Sequence, residues 1–342
     1  MKELQTRFLN QYPQHFFLSY NKDILSKYLI EKQFLFPEEQ IIKLEKPGEG
    51  NMNFVLRVIT NKRNFIIKQA RPWVEKYPQI DAPVSRNEVE ASFYSHINRN
   101  KKLKAFSPEL LYSDKGQFVS IVSDLGEGSD FSFLYKEETR LTKDELQSLV
   151  AYISILHHLN LREFPENREM KILNHFHIFD FPFQQNNQFD LEQIQTGLQQ
   201  IGNDVKSNTK LVNEIEKLGK LYLSSGNVLI HGDYYPGSWL KSDSGIKVID
   251  PEFSFLGLAE FDLGVLLAHI QLTKQEKNIT DSIIELYDAP AKFDLNLVAG
   301  FAGTEILRRL LGVAQLPVNL SLDEKEEFVQ KATKWILEGK LI

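Results

Sequence analysis

Residues 227–262, NVLIHGDYYPGSWLKSDSGIKVIDPEFSFLGLAEFD, constrain the fold of this chain more tightly than any other stretch. Two short apolar runs of strand character, 228–230 and 246–249, each end in acidic chemistry. His231-Gly232-Asp233 follows the first and Asp250-Pro251-Glu252 the second. Between them, Ser242-Asp243-Ser244-Gly245 has the composition of a turn that closes a hairpin. Carboxylates just past strand ends, beside Gly and Pro that restrict the backbone, suit a metal and phosphate site.

Composition narrows the classes of protein that could use such a site. At 342 residues the chain is long enough for two domains or one large one. A net charge of −6 argues against nucleic-acid binding, which draws most of its affinity from basic surface. With no cysteine there is no disulfide and no thiolate metal site. The start, MKELQTRFLNQYPQ, lacks the apolar core of a signal peptide. The longest apolar run, Val265-Leu266-Leu267-Ala268, is bracketed by Asp262 and His269 and is far too short to span a bilayer. These features predict a soluble, cytoplasmic protein with neither a membrane nor a nucleic-acid partner.

Along the chain, Ile24, Leu25, Tyr28 and Leu29 have helical spacing, in a helix that Pro37 ends. Strands are expected at 40–45, 54–59 and 65–69. A Gly-rich loop, Pro47-Gly48-Glu49-Gly50-Asn51, joins the first two, and Lys68 sits inside the third. A strand lysine is usually a solvated edge residue, but Phe65, Ile66, Ile67 and Ala70 around it are apolar and direct its ammonium over a cleft. Ser85-Arg86-Asn87-Glu88 fits a capping box opening a helix to about residue 98, which gives Glu88 a local task. Glu90 has no such task and becomes the candidate to pair with Lys68. A strand at 118–123 runs into the polar break Asp124-Leu125-Gly126-Glu127-Gly128, where the boundary between domains 1–124 and 125–342 is placed.

The second domain reads as mainly helical. Thr142-Lys143-Asp144-Glu145 is a second capping box, opening a helix to His157-His158, whose imidazoles suit a helix C-terminus. Residues 163–222 carry no readable motif, with helical periodicity over 191–222. Further helices are expected over 263–272, 297–312 and 323–337. Asp262 opens the first of these and is read as a cap bracing the loop at Asp233.

Phosphoryl transfer needs a backbone cradle and a lysine for nucleotide phosphates, acids for a metal, an acid to orient the nucleophile, and positive charge for the travelling group. Residues 48–51 can supply the cradle, and Lys68 the phosphate contact. Asp250 and Glu252 stand two apart in a segment read as extended, so both carboxylates can face one Mg2+ cluster. Asp233 can accept a hydrogen bond from a substrate hydroxyl.

The order of these parts resembles the aminoglycoside phosphotransferase and choline kinase superfamily. Its usual pattern is H-G-D with Asn five residues after the Asp, and here that position is Ser238. H-G-D-x-x-x-G-S, D-P-E-F and F-D-x-G, met as His231 to Ser238, Asp250-Pro251-Glu252-Phe253 and Phe261-Asp262-Leu263-Gly264, are similar to the methylthioribose kinase branch. Gly50-Asn51-Met52-Asn53, Ile67-Lys68-Gln69-Ala70, the Arg86 to Glu90 helix start and Arg308-Arg309 extend the similarity. Tyr234-Tyr235-Pro236 departs from that branch's Leu-His-Thr-like triplet, next to the expected acceptor.

The resemblance implies an α+β, bilobal protein-kinase-like fold, with a small antiparallel β N-lobe and a larger, mainly helical C-lobe. It implies ATP and Mg2+ as cofactors and a small-molecule acceptor, with 5-methylthioribose, phosphorylated at its 1-hydroxyl, as the best match. Asp233 would be the catalytic base, and Arg308 and Arg309 would supply charge at the transferred phosphoryl group. Asp250 and Glu252 would hold magnesium. Gly48, Gly50, Asn51, Asn53, Lys68, Glu90 and Ser238 would serve the nucleotide, with backbone groups of Val122, Ser123 and Asp124 meeting adenine. A homodimer is the family-level expectation. Other acceptors such as an amino sugar, an amino alcohol or a homoserine-like molecule remain open, as does a non-catalytic nucleotide-binding module.

Overall fold

In a computed structural model, which describes residues 2–48, 52–136, 139–276 and 278–341, the chain divides into two compact units, Met1–Gly128 and Ser129–Ile342. The first unit opens with helices α1 (Lys2–Gln11) and α2 (Lys22–Glu31). Next come strands β1 (Ile41–Glu45), β2 (Phe54–Thr60) and β3 (Asn64–Gln69), then a short hairpin of β4 (Trp73–Val74) and β5 (Tyr77–Asp81). Helices α3 (Arg86–Ile97) and α4 (Lys101–Lys104) and strands β6 (Leu110–Asp114) and β7 (Val119–Ser123) complete it.

Five of these strands form one antiparallel sheet in the order β1-β2-β3-β7-β6. The period-2 alternation of β2 explains its seating, since Phe54, Leu56, Val58 and Thr60 are buried while the residues between them are half-buried. Phe65 and Ile67 of β3 and Val119 and Ile121 of β7 continue that face, against Leu25, Tyr28 and Leu29 of α2. Each such side chain contributes about 1.5–3 kcal/mol on burial. Helix α2 stops at Glu31, earlier than Pro37 suggests, and Gln33 follows in a left-handed conformation at φ 58°.

The second unit contains β8 (Gly128–Asp130), α5 (Lys143–His157), α6 (Arg168–His175), α7 (Leu198–Ser207) and α8 (Thr209–Leu223). Strands β9 (Val228–Ile230), β10 (Trp239–Ser242), β11 (Gly245–Val248) and β12 (Phe255–Gly257) follow, then helices α9 (Ala259–Leu272), α10 (Ile279–Leu286), α11 (Leu295–Leu311) and α12 (Leu322–Glu338). Thr142 and Glu145 make both bonds of the expected capping box on α5. Helices α9 and α11 are buried on almost every side and pack together at the centre. That all-round burial fits their lack of a polar stripe.

Several expectations change here. The hairpin exists, but its first arm is β10, paired with β11 from Trp239↔Val248 to Ser242↔Gly245. Strand β9 instead pairs with β12, from Val228↔Gly257 to Ile230↔Phe255. Thus both acidic segments are anchored by strands that alternation alone did not reveal. The first capping box does not form, because Ser85 adopts a helical φ/ψ and makes no capping bond. Glu88 pairs with Lys115 on the surface instead. Helix α1 lies in what reads as a polar start, and α6 lies in the stretch without a motif.

Candidate active site

The loop after β9 is built around one buried carboxylate. Asp262, in the first turn of α9, is fully buried and accepts the backbone N–H of His231 at 2.6 Å and of Gly232 at 2.9 Å. His157 Nε2 lies 3.2 Å from the same carboxylate, while His157 Nδ1 meets the Tyr287 hydroxyl at 2.6 Å. Asp262 therefore braces the loop as expected, but from inside the helix rather than as its cap, since Leu258 occupies the N-cap. Gly232 has φ 82°, and a Cβ there would lie 2.2 Å from the Phe253 carbonyl oxygen, so only glycine fits. The ring of His231 is buried with Nε2 3.0 Å from the Ile249 carbonyl, and burial lowers its pKa, so it is a neutral donor.

Farther along the loop, the Ser238 hydroxyl donates to the Asp233 carbonyl at 2.9 Å, and the Ser238 carbonyl accepts from Ile249 N–H at 3.0 Å. Ser238, expected among the nucleotide contacts, is buried and its hydroxyl braces the loop at Asp233. The two tyrosines part company. Tyr234 turns into the core, donating to the Leu149 carbonyl at 2.9 Å and stacking on Tyr152. Tyr235 stays beside Asp233, its ring between Arg309, 5.0 Å from the centroid, and His269, 5.2 Å away.

Asp233 faces α11. Arg309 Nη2 is 3.4 Å from its carboxylate, and Arg309 Nε donates to Glu305 at 2.6 Å. Arg308 Nη1 donates to the other oxygen of Glu305 at 3.0 Å, while its buried Nε has no hydrogen-bond partner. Glu305 also contacts His269 Nε2 at 3.0 Å, and His269 Nδ1 meets the Tyr135 hydroxyl at 2.6 Å. Burial opposes ionisation of Glu305, but Arg308, Arg309 and His269 outweigh it and hold its pKa well below the usual carboxylate range. Burial together with Arg309 pushes His269 down to about 4, so it is neutral. The pKa of Asp233 is raised, first by its enclosure and also by Glu305, with Arg309 and Arg308 pulling the other way. Its side chain keeps 24% of its surface open, enough for a substrate to reach it.

The segment at Asp250 is not extended. Asp250 has φ 61°, a left-handed conformation, so the alternation that placed its carboxylate beside that of Glu252 does not apply. Asn167, from the stretch without a motif, holds the segment instead, donating to the Glu252 carbonyl at 2.9 Å and the Ser254 carbonyl at 3.0 Å. The Ser254 hydroxyl in turn donates to the His231 carbonyl at 3.1 Å, which ties the two acidic segments together. Among the described residues no three His, Cys, Asp or Glu side chains gather into a metal cluster. Two hard oxygen donors nonetheless fit Mg2+, which takes one or two carboxylates and completes its shell with substrate phosphates and water.

In the first unit, Lys68 Nζ donates to Glu90 at 2.6 Å, both residues being buried. Lys68 lies on the face of β3 opposite Ile67, where α3 meets the sheet. Arg86, fully buried, donates to Asn53 Oδ1 at 2.9 Å and to the carbonyls of Met52, Arg71 and Pro83, fastening the end of the Gly-rich loop to α3. Gly48 and Asn53 line a cavity of about 280 Å3 with Lys46 and Lys76. Gly50 and Asn51 lie outside the described residues. Val122 pairs with Ile66 and Leu110 in the sheet, Ser123 N–H donates to the Glu109 carbonyl at 2.8 Å, and Asp124 binds Arg57 at 2.9 Å.

Lys68 pairs with Glu90 as the sequence suggested and Arg309 lies beside Asp233, whereas Glu305, His269, Tyr135 and Asn167 around the Asp233 loop, and the anchoring role of Arg86 in the first unit, are contacts that the sequence reading did not single out. Only Glu305 left a readable trace, since a glutamate three and four residues before two arginines shares their helix face.

Comparisons with known proteins bear on the family and the fold. The model of the phosphotransferase enzyme family matches residues 43–293. A methylthioribose kinase of Geobacillus sp. (strain WCH70) is 25% identical over 86% of this chain and 84% of its own length. One from Bacillus velezensis is 26% identical over 88% of this chain and 85% of its own. A choline kinase of Streptococcus pneumoniae aligns with a TM-score of 0.53 over 94% of this chain and 100% of that one, at 12% identity. That likeness establishes the fold, the α+β protein-kinase-like one.

Proposed function

Because the chain belongs to the phosphotransferase enzyme family, it is a small-molecule kinase that uses ATP, and we propose that its acceptor is 5-methylthioribose, phosphorylated on the 1-hydroxyl, or a closely similar sugar. The observation that carries this reading is the buried arginine pair at Asp233. Arg308 and Arg309 balance Asp233 and Glu305, so the α11 side of the site favours a neutral acceptor over a cation such as choline or an aminoglycoside. Guanidinium donors and an open Asp233 suit a neutral polyol.

In this mechanism Asp233 accepts the hydrogen bond of the sugar hydroxyl and takes its proton as the hydroxyl oxygen bonds to the γ-phosphorus of ATP and the bond from that phosphorus to the bridging oxygen breaks, releasing ADP. Most of the gain comes from positioning and charge, because the transition state of phosphoryl transfer is loose. Arg308, with its unpartnered Nε, and Arg309 meet the charge on the transferred group. In the part expected to serve the nucleotide, 1–124, Lys68 meets ATP phosphates and Glu90 keeps its ammonium aimed. Gly48, Asn53 and the neighbouring Gly50 and Asn51 form the cradle, and the backbone around Asp124 meets adenine. In the part expected to serve the acceptor, 125–342, Asp250 and Glu252 would hold Mg2+, which neutralises phosphate charge when bound. Asn167 and Ser238 keep that segment and the Asp233 loop in register.

No helix among the described residues is long and apolar enough to cross a membrane. A cytoplasmic setting, which the use of ATP and the lack of cysteine support, and a homodimer are parts of the same proposal; light scattering tests the latter.

The deciding experiment follows ADP release from ATP and Mg2+ with 5-methylthioribose, ribose, choline, ethanolamine and an aminoglycoside as acceptors. Release is expected with the thiosugar, to fall about 10²–10⁴-fold in Asp233→Asn, the usual scale for general-base loss. Release driven by choline or the aminoglycoside, with the sugars inert, would overturn the assignment.

A further inference from the structure

Glu305 contacts no candidate substrate group, yet both oxygens of its buried carboxylate are bonded. One oxygen accepts from Arg309 Nε at 2.6 Å and from His269 Nε2 at 3.0 Å, and the other accepts from Arg308 Nη1 at 3.0 Å. Its side chain is 1% exposed, as close to the protein interior as the ring of His269 at 0%. The chain of bonds fixes the imidazole. Because Nε2 faces a carboxylate it must carry the proton, so Nδ1 is the acceptor for the Tyr135 hydroxyl at 2.6 Å. His269 is thereby a rigid neutral strut, and Glu305 cannot swing away from it.

The distances around Arg309 are unequal. Its Nε sits at 2.6 Å from Glu305, while its Nη2 stands 3.4 Å from Asp233 and its Nη1 3.4 Å from the Ala314 carbonyl. An arginine and a carboxylate this close, enclosed by protein and left to themselves, would draw together into a forked pair. Such a pair would engage both oxygens of Asp233, lower the carboxylate's affinity for a substrate proton and crowd the approach to it. The ring of Tyr235, with the Arg309 guanidinium 5.0 Å from its centroid, limits sideways movement.

We infer that Glu305, held by His269 and Tyr135, is a positioning residue that keeps Arg309 from closing onto Asp233 and so leaves the catalytic carboxylate available to the acceptor. The inference rests on the reading of Asp233 as the base, and the two can fail separately. Glu305 competes for the guanidinium with a shorter bond to Nε and shares its charge with Arg308. It holds the two arginines as one unit while the outer edge of Arg309 stays beside Asp233. Where sequence identifies a pair of arginines, the tertiary structure adds the acid that decides how near they come.

A double-mutant cycle tests this with ATP and 5-methylthioribose, or whichever acceptor in the panel turns over fastest. Glu305→Gln is expected to lower kcat/KM for the acceptor by 10-fold or more, with the affinity for ATP alone unchanged. Arg309→Met is expected to lower it too. If Glu305 works through Arg309, the double variant is no slower than Arg309→Met within a factor of two. Losses that multiply would overturn the inference, as would a Glu305→Gln enzyme with wild-type kcat/KM. Glu305→Asp, which restores the charge at shorter reach, should recover part of the rate. A purely structural role predicts instead a lowered Tm with an unchanged rate per folded molecule. Should Glu305→Gln fail to fold, His269→Phe removes one support of Glu305 at similar volume and should reduce the same parameter several-fold; no reduction counts against the inference. An Asp233→Asn enzyme as fast as the wild type would overturn the base assignment and this inference with it. A slow Asp233→Asn beside a normal Glu305→Gln would overturn the inference alone.

Discussion

Asp262→Asn is the substitution whose cost follows most directly from the geometry. The wild-type carboxylate receives His231 N–H and His157 Nε2 on one oxygen and Gly232 N–H on the other, all in a fully buried site. Asparagine can keep one oxygen, serving His231 and His157, but it must then turn its NH2 towards the Gly232 N–H. The Gly232 N–H and the amide N–H turned towards it are then both buried without an acceptor, about 2–4 kcal/mol if each costs 1–2. Asp262→Ala leaves all three donors without their acceptor, so its loss should be larger, about 3–6 kcal/mol if each costs 1–2. Gly232 immediately precedes Asp233, so relaxation of this backbone moves the base. A displacement near 1 Å costs about 10²-fold in rate. Urea unfolding measures the first quantity and initial rates of ADP release the second. An Asp262→Asn protein within about 0.5 kcal/mol of wild type, the range of ordinary surface substitutions, and with unchanged kcat/KM would refute the claim that this carboxylate organises the loop.

Three further outcomes are expected. Gly232→Ala combines a left-handed φ with a Cβ 2.2 Å from a carbonyl oxygen, so it should lose activity and at least about 1–3 kcal/mol in denaturant melts. In Arg309→Met the acid limb of kcat/KM should move to higher pH: Arg309 lowers the pKa of Asp233, the base works only when ionised, and losing the cation makes it bind its proton more tightly. A pH–rate profile with its acid limb unmoved or shifted down would contradict that sign. Glu90→Ala takes away the 2.6 Å partner of a buried lysine and should destabilise by about 3–5 kcal/mol, with Lys68→Met/Glu90→Leu recovering much of the loss in thermal melts.

Much of the candidate site is legible in the chain because its parts are local. Glycine and proline punctuate the acidic segments, alternation marks the strands of the first unit, and only a short hairpin and the start of one helix separate Lys68 from Glu90. Period-2 reading failed at β10 and β12, four and three residues long, which take their pairing from neighbours rather than from their own pattern. It failed again at Asp250, where a left-handed φ replaced the expected extended backbone. Capping logic succeeded at Thr142 and failed at Ser85, which takes a helical backbone conformation just before the buried first residues of the helix, Arg86 and Asn87.

By itself, then, the sequence determined which chemistry the chain carries: the acids, the lysine, the arginine pair and the glycines that let a backbone turn beside them. Only the tertiary structure decided how those groups are charged and aimed. Tyr234 goes to the core while Tyr235 stays beside Asp233, and Asp262 supports the loop from within a helix. Glu305 holds two arginines that adjacent letters could not place. The physical reason is that ionisation and hydrogen bonding depend on what surrounds a side chain, and in this site the surroundings come from segments up to 174 positions apart, as the bonds from Tyr135 through His269 and Glu305 to Arg309 attest.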